Sequence, residues 1–238
     1  MARVDDLTPV AQDYLKVIWS ATEWGEPPIT TKGLAARFAT TQANVSETMR
    51  RLQRHGLVIY QPYKPVTLTG SGKTLAVAMV RRHRLLEAFL AQVLGYGWDE
   101  VHDEAEVLEH ALSDRLLDSI DRELGHPRRD PHGDPIPHAD LSVPRVDAML
   151  LGDAAEGVPG TVVRISDRDP ELLRHLAAHS IDLDTSIVVT GRTPFGGDLQ
   201  LSIDGSSVTI GADAARAIWI ASTSDGRTGA PDQRHDAQ

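Results

Sequence analysis

The sequence predicts an α+β fold in three consecutive parts, and three observations support this. Helical periodicity dominates from about residue 9 to residue 123, short β-prone runs follow residue 157, and a proline-rich segment separates the two regions. The charge is also divided. Residues 30–84 carry ten basic side chains against one acidic one, a net +9, whereas residues 85–125 carry eleven acidic against two basic, a net −9. We therefore expect neighbouring surfaces with different partners, a polyanion and a cation.

The first part is predicted to contain three helices and a hairpin. Thr8 and Pro9 form a favourable helix start, with a hydroxyl N-cap followed by proline in the first turn. Gly56 closes the third helix. This order of elements is typical of a winged helix-turn-helix domain. The predicted elements are a helix from Pro9, helices at 30–38 and 40–55, and strands at 57–60 and 65–68.

The third helix and the hairpin offer candidate DNA contacts, since the N-terminal end of such a helix enters the major groove. Small and amide side chains suit base edges, whereas hydroxyl and basic side chains suit phosphates. A winged helix that binds protein through a solvated basic face is the alternative. The candidates for base contact are Thr41, Gln42, Ala43, Asn44 and Glu47, those for phosphate are Ser46, Arg50 and Arg51, and Lys64 lies at the hairpin tip.

The motif LTGSGKT invites comparison with a nucleotide-binding loop. A phosphate-binding loop requires a glycine five positions before Gly72, because its backbone wraps closely around the phosphates. Thr67 stands at that position. We therefore interpret Gly70 to Gly72 as a turn into the next helix.

Two long helices, predicted at 73–94 and 99–123, carry the strongest chemical signal. His83 and Glu87 are four residues apart and share one helix face. On the second of these helices, four further metal-binding side chains form a single stripe. Any one of these residues alone is more often an ordinary helix residue, but six together have the spacing of a metal site between helices. The stripe comprises His102, Glu106, Glu109 and His110, while His126, His132 and His138 lack regular spacing and are left out.

The composition excludes several classes of function. Cysteine is absent, which excludes disulfides, thiolate metal sites and cysteine nucleophiles. No apolar run approaches the ~20 residues that a membrane span requires. The N-terminus carries acidic residues and lacks an apolar signal core, so we expect a cytoplasmic protein.

The segment RRHRLLEAFLAQVLGYGWDEVHDEAEVLEH resembles the metal-binding core of the diphtheria toxin repressor family of metalloregulators. The order of elements over residues 5–221 is similar to that of its three-domain members. The resemblance implies a metal-activated homodimer that binds palindromic operator DNA, represses metal-uptake genes, holds two metal ions per subunit and is not an enzyme. The implied parts are a DNA-binding domain (1–75), a helical dimerisation and metal-binding domain (76–142), a linker (143–156), an SH3-like, FeoA-like barrel (157–221) and a disordered tail (222–238).

The resemblance also implies two metal sites. The primary site comprises Asp13, Glu106, Glu109 and His110. The ancillary site comprises His83, Glu87 and His102, completed from the third domain by Asp169 or, less well matched, Glu171.

The residue types at two of these positions predict the metal. Iron-responsive members of the family place methionine and cysteine where this chain has Asp13 and Glu106, whereas manganese-responsive members place aspartate and glutamate there. Carboxylate oxygens suit Mn²⁺, while sulfur favours softer ions. Lys16 departs from some two-domain manganese regulators, which carry a glutamate there that helps build a binuclear site. We therefore favour the ancillary arrangement over a close metal pair.

Three alternatives stay open at this point. The metal could be Fe²⁺ in the same fold. The chain could be a metal-dependent hydrolase, although that would require an open coordination position and a general base in a cleft. It could also be a metal-independent winged-helix regulator in which the His/Glu stripe is only a solvated face.

Overall fold

The computed structural model describes residues 3–194 and 197–222. The chain divides into two compact units, residues 1–146 and residues 147–238. The predicted disordered tail lies outside the described residues except for Ser222. Within the described residues, no helix is both long enough and apolar enough to cross a membrane.

The first unit begins with the predicted winged helix-turn-helix. Each of its helices starts at a threonine whose hydroxyl accepts a backbone hydrogen bond, so Thr30 and Thr41 are caps rather than helical residues. The helices are consequently shorter than predicted. Their apolar faces share one core with residues from the start of the next helix. The elements are α1 (Pro9–Ser20), α2 (Thr31–Arg37), α3 (Gln42–Arg54), β1 (Val58–Ile59) and β2 (Thr67–Leu68).

Helix α4 (Gly70–Gln92) starts in very close contact with the chain that precedes β1. Thr69 caps the helix and also donates its hydroxyl hydrogen to the Gly56 carbonyl at 2.7 Å. A Cβ on Gly72 would lie 1.9 Å from the Leu57 carbonyl oxygen, so only glycine fits there. The Gly-Ser-Gly sequence therefore serves packing of the backbone, in agreement with its interpretation as a turn.

The predicted single helix over 99–123 is wrong. The structure has two helices, α5 (Val101–Leu108) and α6 (Asp114–Glu123). Ser113 restarts the helix, because its hydroxyl accepts a hydrogen bond from the Leu116 amide. Glu109 and His110 consequently lie in the turn after α5 rather than on one continuous stripe with His102 and Glu106.

Three arginines of α4 contribute to the net positive charge of residues 30–84 but are not exposed. All three are buried, and each donates to a carboxylate from another part of the first unit. They stabilise the interior, and the exposed basic surface is smaller than the sequence count suggests. The pairs are Arg81 with Asp121, Arg82 with Asp5 and Asp114, and Arg84 with Glu23.

The proline-rich segment after α6 forms no helix and packs into the first unit. The guanidinium groups of Arg81 and Arg84 donate to the carbonyls of Pro137 and Pro135 at 2.6 and 2.7 Å. His132 in this loop is fully buried. Side chains of α4 thus provide hydrogen-bond partners for backbone that has no secondary structure of its own.

The second unit is one antiparallel sheet with two short helices. The strand order is β3-β8-β4-β5-β6-β7. The two-residue strand β3 was not predicted and lies inside the expected linker 143–156, because so short an edge strand shows no alternation. The elements are β3 (Met149–Leu150), β4 (Pro159–Ile165), α7 (Pro170–Ala178), β5 (Ser186–Arg192), β6 (Leu199–Ile203), β7 (Ser206–Ile210), α8 (Ala212–Ala215) and β8 (Ile218–Ser222).

The contact at Gly72 predicts a difference between two neighbouring glycines. Gly72→Ala should lower the free energy of unfolding by about 2–3 kcal/mol or more, because the new methyl group has no room beside Leu57. Gly70→Ala is the matched control, since nothing lies within 4 Å of a Cβ there. Urea unfolding followed by circular dichroism measures both. Equal stabilities of the two variants would contradict the assigned contact.

Candidate metal centre

Three of the four residues assigned to the primary site lie together. Asp13 on α1 and the consecutive residues Glu109 and His110 each offer a ligand atom, and these atoms lie within 4.8 Å of one another. Asp13 Oδ1 lies 3.1 Å from His110 Nε2. Glu106 is not part of this group, because its Oε1 accepts a hydrogen bond from Lys16.

Gln12 fixes the orientation of His110, a role that sequence reasoning missed. The buried amide of Gln12 donates to the carbonyls of Val4 and Leu7, so its Oε1 must face His110 Nδ1, at 2.7 Å. An acceptor at Nδ1 places a ring hydrogen there, and in the neutral ring this leaves the lone pair on Nε2. That lone pair faces Asp13 and Glu109, as in a metal-ligating histidine held by an outer partner. No sequence pattern signals this contact, because it joins α1 to the turn after α5.

Asp13 carries a polar atom without a partner. Its Oδ1 is buried and forms no hydrogen bond. Burial is the largest influence on this carboxyl group and raises its pKa, although His110 and Lys16 act in the opposite direction. A buried carboxylate oxygen beside a bare imidazole nitrogen is unfavourable unless a cation lies between them.

Lys16 supplies the positive charge nearest to the carboxylates. Its ammonium nitrogen lies 2.9 Å from Glu106 Oε1, 2.5 Å from Glu109 Oε1 and 3.3 Å from His83 Nδ1. Burial alone lowers the pKa of Lys16, but Glu109 and Glu106 outweigh burial and raise it, so the side chain is charged. The same lysine lowers the pKa of Glu106 against the effect of burial.

The three helical residues assigned to the ancillary site also lie together. His83 Nε2 lies 2.9 Å from Glu87 Oε1 and 3.2 Å from His102 Nδ1. Burial alone raises the pKa of Glu87, but His83 and His102 outweigh it and hold that pKa far below its usual value. The other ring nitrogen of His83 lies 2.6 Å from Glu109 Oε2, so this histidine contacts both sites.

His132, which the sequence analysis left out, borders the ancillary triad. Its Nε2 donates to the Trp98 carbonyl at 2.6 Å, and its buried Nδ1 has no hydrogen-bond partner. That Nδ1 lies 3.9 Å from Glu87 Oε1, and Asp130 is the third member of this buried group. The residue lies in a loop without periodicity, so only the fold reveals its position.

Asp169, the third-domain candidate, lies in the second unit. It is exposed, and its Oδ1 accepts hydrogen bonds from the Glu171 and Leu172 amides at the start of α7. It is therefore a helix cap in this structure, and its role as a ligand stays a prediction.

The primary group fits a divalent cation by its chemistry. It combines an imidazole with two carboxylates, one of which, Asp13, has a buried oxygen that forms no hydrogen bond. All donors are oxygen or nitrogen, a set that suits Mn²⁺ and also accepts Fe²⁺.

The candidate DNA contacts lie on α3 and on the tip of the hairpin. Glu47 pairs with Arg50 at 3.5 Å, and the Ser46 hydroxyl accepts a hydrogen bond from Tyr60 at 3.0 Å. Ser46 is half-buried, whereas the others are open to solvent. The exposed candidates are Thr41, Gln42, Ala43, Asn44, Glu47, Arg50, Arg51 and Lys64.

Three domain families match the chain. The N-terminal DNA binding domain of iron dependent repressors matches residues 6–66, and their metal binding and dimerisation domain matches residues 69–138. The FeoA domain matches residues 149–222. These matches confirm the predicted fold class, with a winged helix-turn-helix, a helical metal-binding domain and an SH3-like sheet domain.

Known proteins resemble the whole chain. The diphtheria toxin repressor of Corynebacterium diphtheriae is 32% identical over 90% of this chain and 98% of its own. The iron-dependent repressor IdeR of Mycobacterium leprae is 31% identical over 91% of this chain and 99% of its own. A solved structure of a manganese-dependent transcriptional repressor in complex with manganese is 53% identical, with a TM-score of 0.85 over 89% of this chain and 99% of that one.

The buried position of Glu109 predicts a loss of metal-induced stabilisation. Mn²⁺ at ~100-fold excess over its Kd should raise the Tm of the unchanged protein by roughly 5–10 °C. Glu109→Gln should remove most of this rise, since Glu109 belongs to the primary group. Asp103→Asn, an exposed change on α5, should leave it intact. Differential scanning fluorimetry with and without Mn²⁺ measures the shifts, and His110→Gln is a second variant of the same group. An unchanged rise in both site variants would refute the assignment.

Proposed function

The chain belongs to the diphtheria toxin repressor family of metal-dependent transcriptional repressors, and on that basis we propose that it represses transcription when Mn²⁺ is bound. The family consists of repressors, so the prediction that the chain is not an enzyme is confirmed and the hydrolase alternative is dropped. The observation that carries the proposal is the primary group, Asp13, Glu109 and His110, with its inward Nε2 and its orphaned Oδ1.

The donor atoms favour manganese over iron as the activating ion. Asp13 supplies oxygen within the primary group, and Glu106 supplies oxygen beside it. A site without sulfur does not favour softer metals, so an oxygen-rich shell selects Mn²⁺ by coordination number and geometry rather than by affinity. The manganese-dependent repressor at 53% identity supports this choice against the iron-dependent repressors named IdeR at 31–32%.

The primary group joins two parts of the first unit. Asp13 lies on α1, which shares a core with the recognition helix α3, while Glu109 and His110 follow α5. A divalent cation there supplies the positive charge that allows these carboxylates to lie together. An ion bound by all three residues would hold α1, and with it the DNA-binding helix α3, in a fixed position relative to the helical domain. Metal affinity and DNA affinity then raise each other by the same factor.

The helical domain offers a surface for a second copy of the chain. Large apolar side chains are exposed at the end of α4 and on α5 and α6, and Val107 is 71% exposed. Large exposed apolar side chains are typical of interfaces when they lie together on one surface. A two-fold dimer would present two α3 helices to the two halves of a palindromic operator. The residues are Val93, Leu94, Val107, Leu108 and Leu116.

Four further parts of the proposal follow from the family. A second ion occupies the ancillary triad, giving two ions per subunit. The exposed residues of α3 and Lys64 contact the operator. The repressed genes are those of metal uptake. The protein acts in the cytoplasm, where it meets DNA.

The decisive experiment is a DNA-binding titration under anaerobic conditions. Duplexes are first selected from a random library by the purified protein, separately with Mn²⁺ and with Fe²⁺. Fluorescence anisotropy then measures binding of the selected duplexes at controlled free metal. We expect Mn²⁺ to produce tight binding at a free concentration no higher than that of Fe²⁺, and chelation to abolish it. Activation by Fe²⁺ alone would identify an iron-dependent repressor, and equal binding without metal would remove the sensor function.

Replacing the two oxygen ligands by sulfur should change the metal response. Asp13→Met combined with Glu106→Cys should shift activation of DNA binding toward Fe²⁺, because softer ligands favour metals later in the affinity series. The same titration measures the ratio of activating concentrations of the two ions. Asp103→Asn serves as the control for loss of one acidic charge in this region. A double variant with an unchanged ratio would disprove the selectivity argument.

A further inference from the structure

The positive charge of Lys16 lies beside the carboxylates assigned to the primary site. Its ammonium group contacts Glu106 and Glu109, two of the four residues assigned as ligands there. The side chain is buried, and Glu109 is completely inaccessible. The lysine therefore provides a permanently charged partner for one buried and one half-buried carboxylate, whose other partners are the histidines His83 and His102.

Lys16 and the metal-binding group share one oxygen atom, Oε1 of Glu109. Glu109 Oε1 accepts the hydrogen bond from Lys16 at 2.5 Å, and Glu109 Oε1 also lies 3.9 Å from His110 Nε2, facing the ring nitrogen of the primary group. Glu106 Oε1 is held by the same ammonium group. Glu106 can join Asp13, Glu109 and His110 around a common point only if the lysine releases at least one carboxylate.

We propose that Lys16 is an internal competitor of the metal, and that the primary site loads by exchange of this ammonium group for a divalent cation. The inference depends on the proposed function, because it concerns the same site. Without metal, Lys16 holds Glu106 and Glu109 and stabilises the fold. With metal, the lysine gives up these contacts, and the lost contacts reduce the net metal affinity.

Such a competitor sets a concentration threshold rather than a preference among metals. The contacts that Lys16 gives up are the same whichever divalent ion enters. The affinities for all such ions are therefore reduced by similar factors, and the donor atoms still determine which ion binds most tightly. A sensor with this lysine responds only when free metal is high enough to displace it.

The contrary arrangement makes the opposite prediction. If Lys16 stayed in place beside the bound ion as a counter-charge for Asp13, Glu106 and Glu109, then its removal would leave excess negative charge. Neutral variants of residue 16 would then also bind metal more tightly, because of that excess charge, but Lys16 of the unchanged protein would stay buried when metal is bound. Labelling of Lys16 by an amine-reactive reagent therefore separates the two roles. Mn²⁺ should increase the labelling if the lysine is displaced, and unchanged protection in the presence of Mn²⁺ would overturn the exchange.

The test compares Lys16→Gln with the unchanged full-length protein, with Lys16→Arg and with Lys73→Gln. Lys73→Gln makes the same replacement at an exposed lysine of α4. Competition with a fluorescent chelator gives affinities for Mn²⁺ and Co²⁺, and Asp13→Asn identifies which binding phase belongs to the primary site. Scanning fluorimetry gives the Tm with and without metal.

We expect Lys16→Gln to tighten the primary phase by about tenfold to a hundredfold, by similar factors for both ions. Its metal-free Tm should fall by several °C, because removing one partner of a buried ion pair is destabilising. Lys16→Arg, which keeps the charge, and Lys73→Gln should show no tightening. Lys16→Gln that bound metal with unchanged or weaker affinity would overturn the exchange. Absence of Mn²⁺ binding by the unchanged protein would instead overturn the proposed function, and the exchange with it.

Discussion

The first unit is organised around buried negative charge that must be neutralised. Asp13 on α1, Glu87 on α4, Glu106 on α5 and Glu109 in the turn after α5 lie close together, and Glu87 and Glu109 are essentially inaccessible to water. An unpaired buried carboxylate is costly, so positive or hydrogen-bonding partners are expected beside such groups. Lys16, His83 and His102 supply them for the three glutamates, whereas Asp13 Oδ1 forms no hydrogen bond. The positions of α1, α4 and α5 relative to one another are therefore linked to this balance of charge.

Helix α4 supports the elements that surround these buried carboxylates. Its first turn is pressed against the Leu57 backbone through Gly72, which fixes the helix to the winged domain. Its buried arginines Arg81 and Arg84 donate hydrogen bonds to carbonyls of the proline-rich segment, and Arg81 also pairs with Asp121 of α6. His83 and Glu87 lie on the same helix, and the contacts of that helix therefore keep their backbone in a fixed position. Precise placement of metal-binding side chains requires such rigid support.

Local patterns in the sequence predicted a large part of the fold and of the site. The i, i+4 spacing of His83 and Glu87 was sufficient to bring them together, because α4 is a single helix. The break before Ser113 was missed, since apolar periodicity continues through it and the hydroxyl cap is a weaker signal. The roles of Gln12, Lys16 and His132 depend on contacts with residues at least 34 positions away in the chain. No local pattern encodes contacts of that kind.

Glu109 links the two assigned sites, because its two carboxylate oxygens contact residues of different sites. Its Oε1 serves Lys16 and the primary group, while its Oε2 lies against His83 Nδ1, and the opposite nitrogen of His83 faces Glu87. A hydrogen bond from Nδ1 to Glu109 would allow Nε2 to bind an ion in the ancillary triad if Nε2 gave up its hydrogen, and with it the contact to Glu87. Rotation of the Glu109 carboxylate changes its contacts with Lys16 and with His83 together. The orientation of His83, assigned to the ancillary site, therefore depends on Glu109, assigned to the primary one, and the two residue sets cannot be arranged independently.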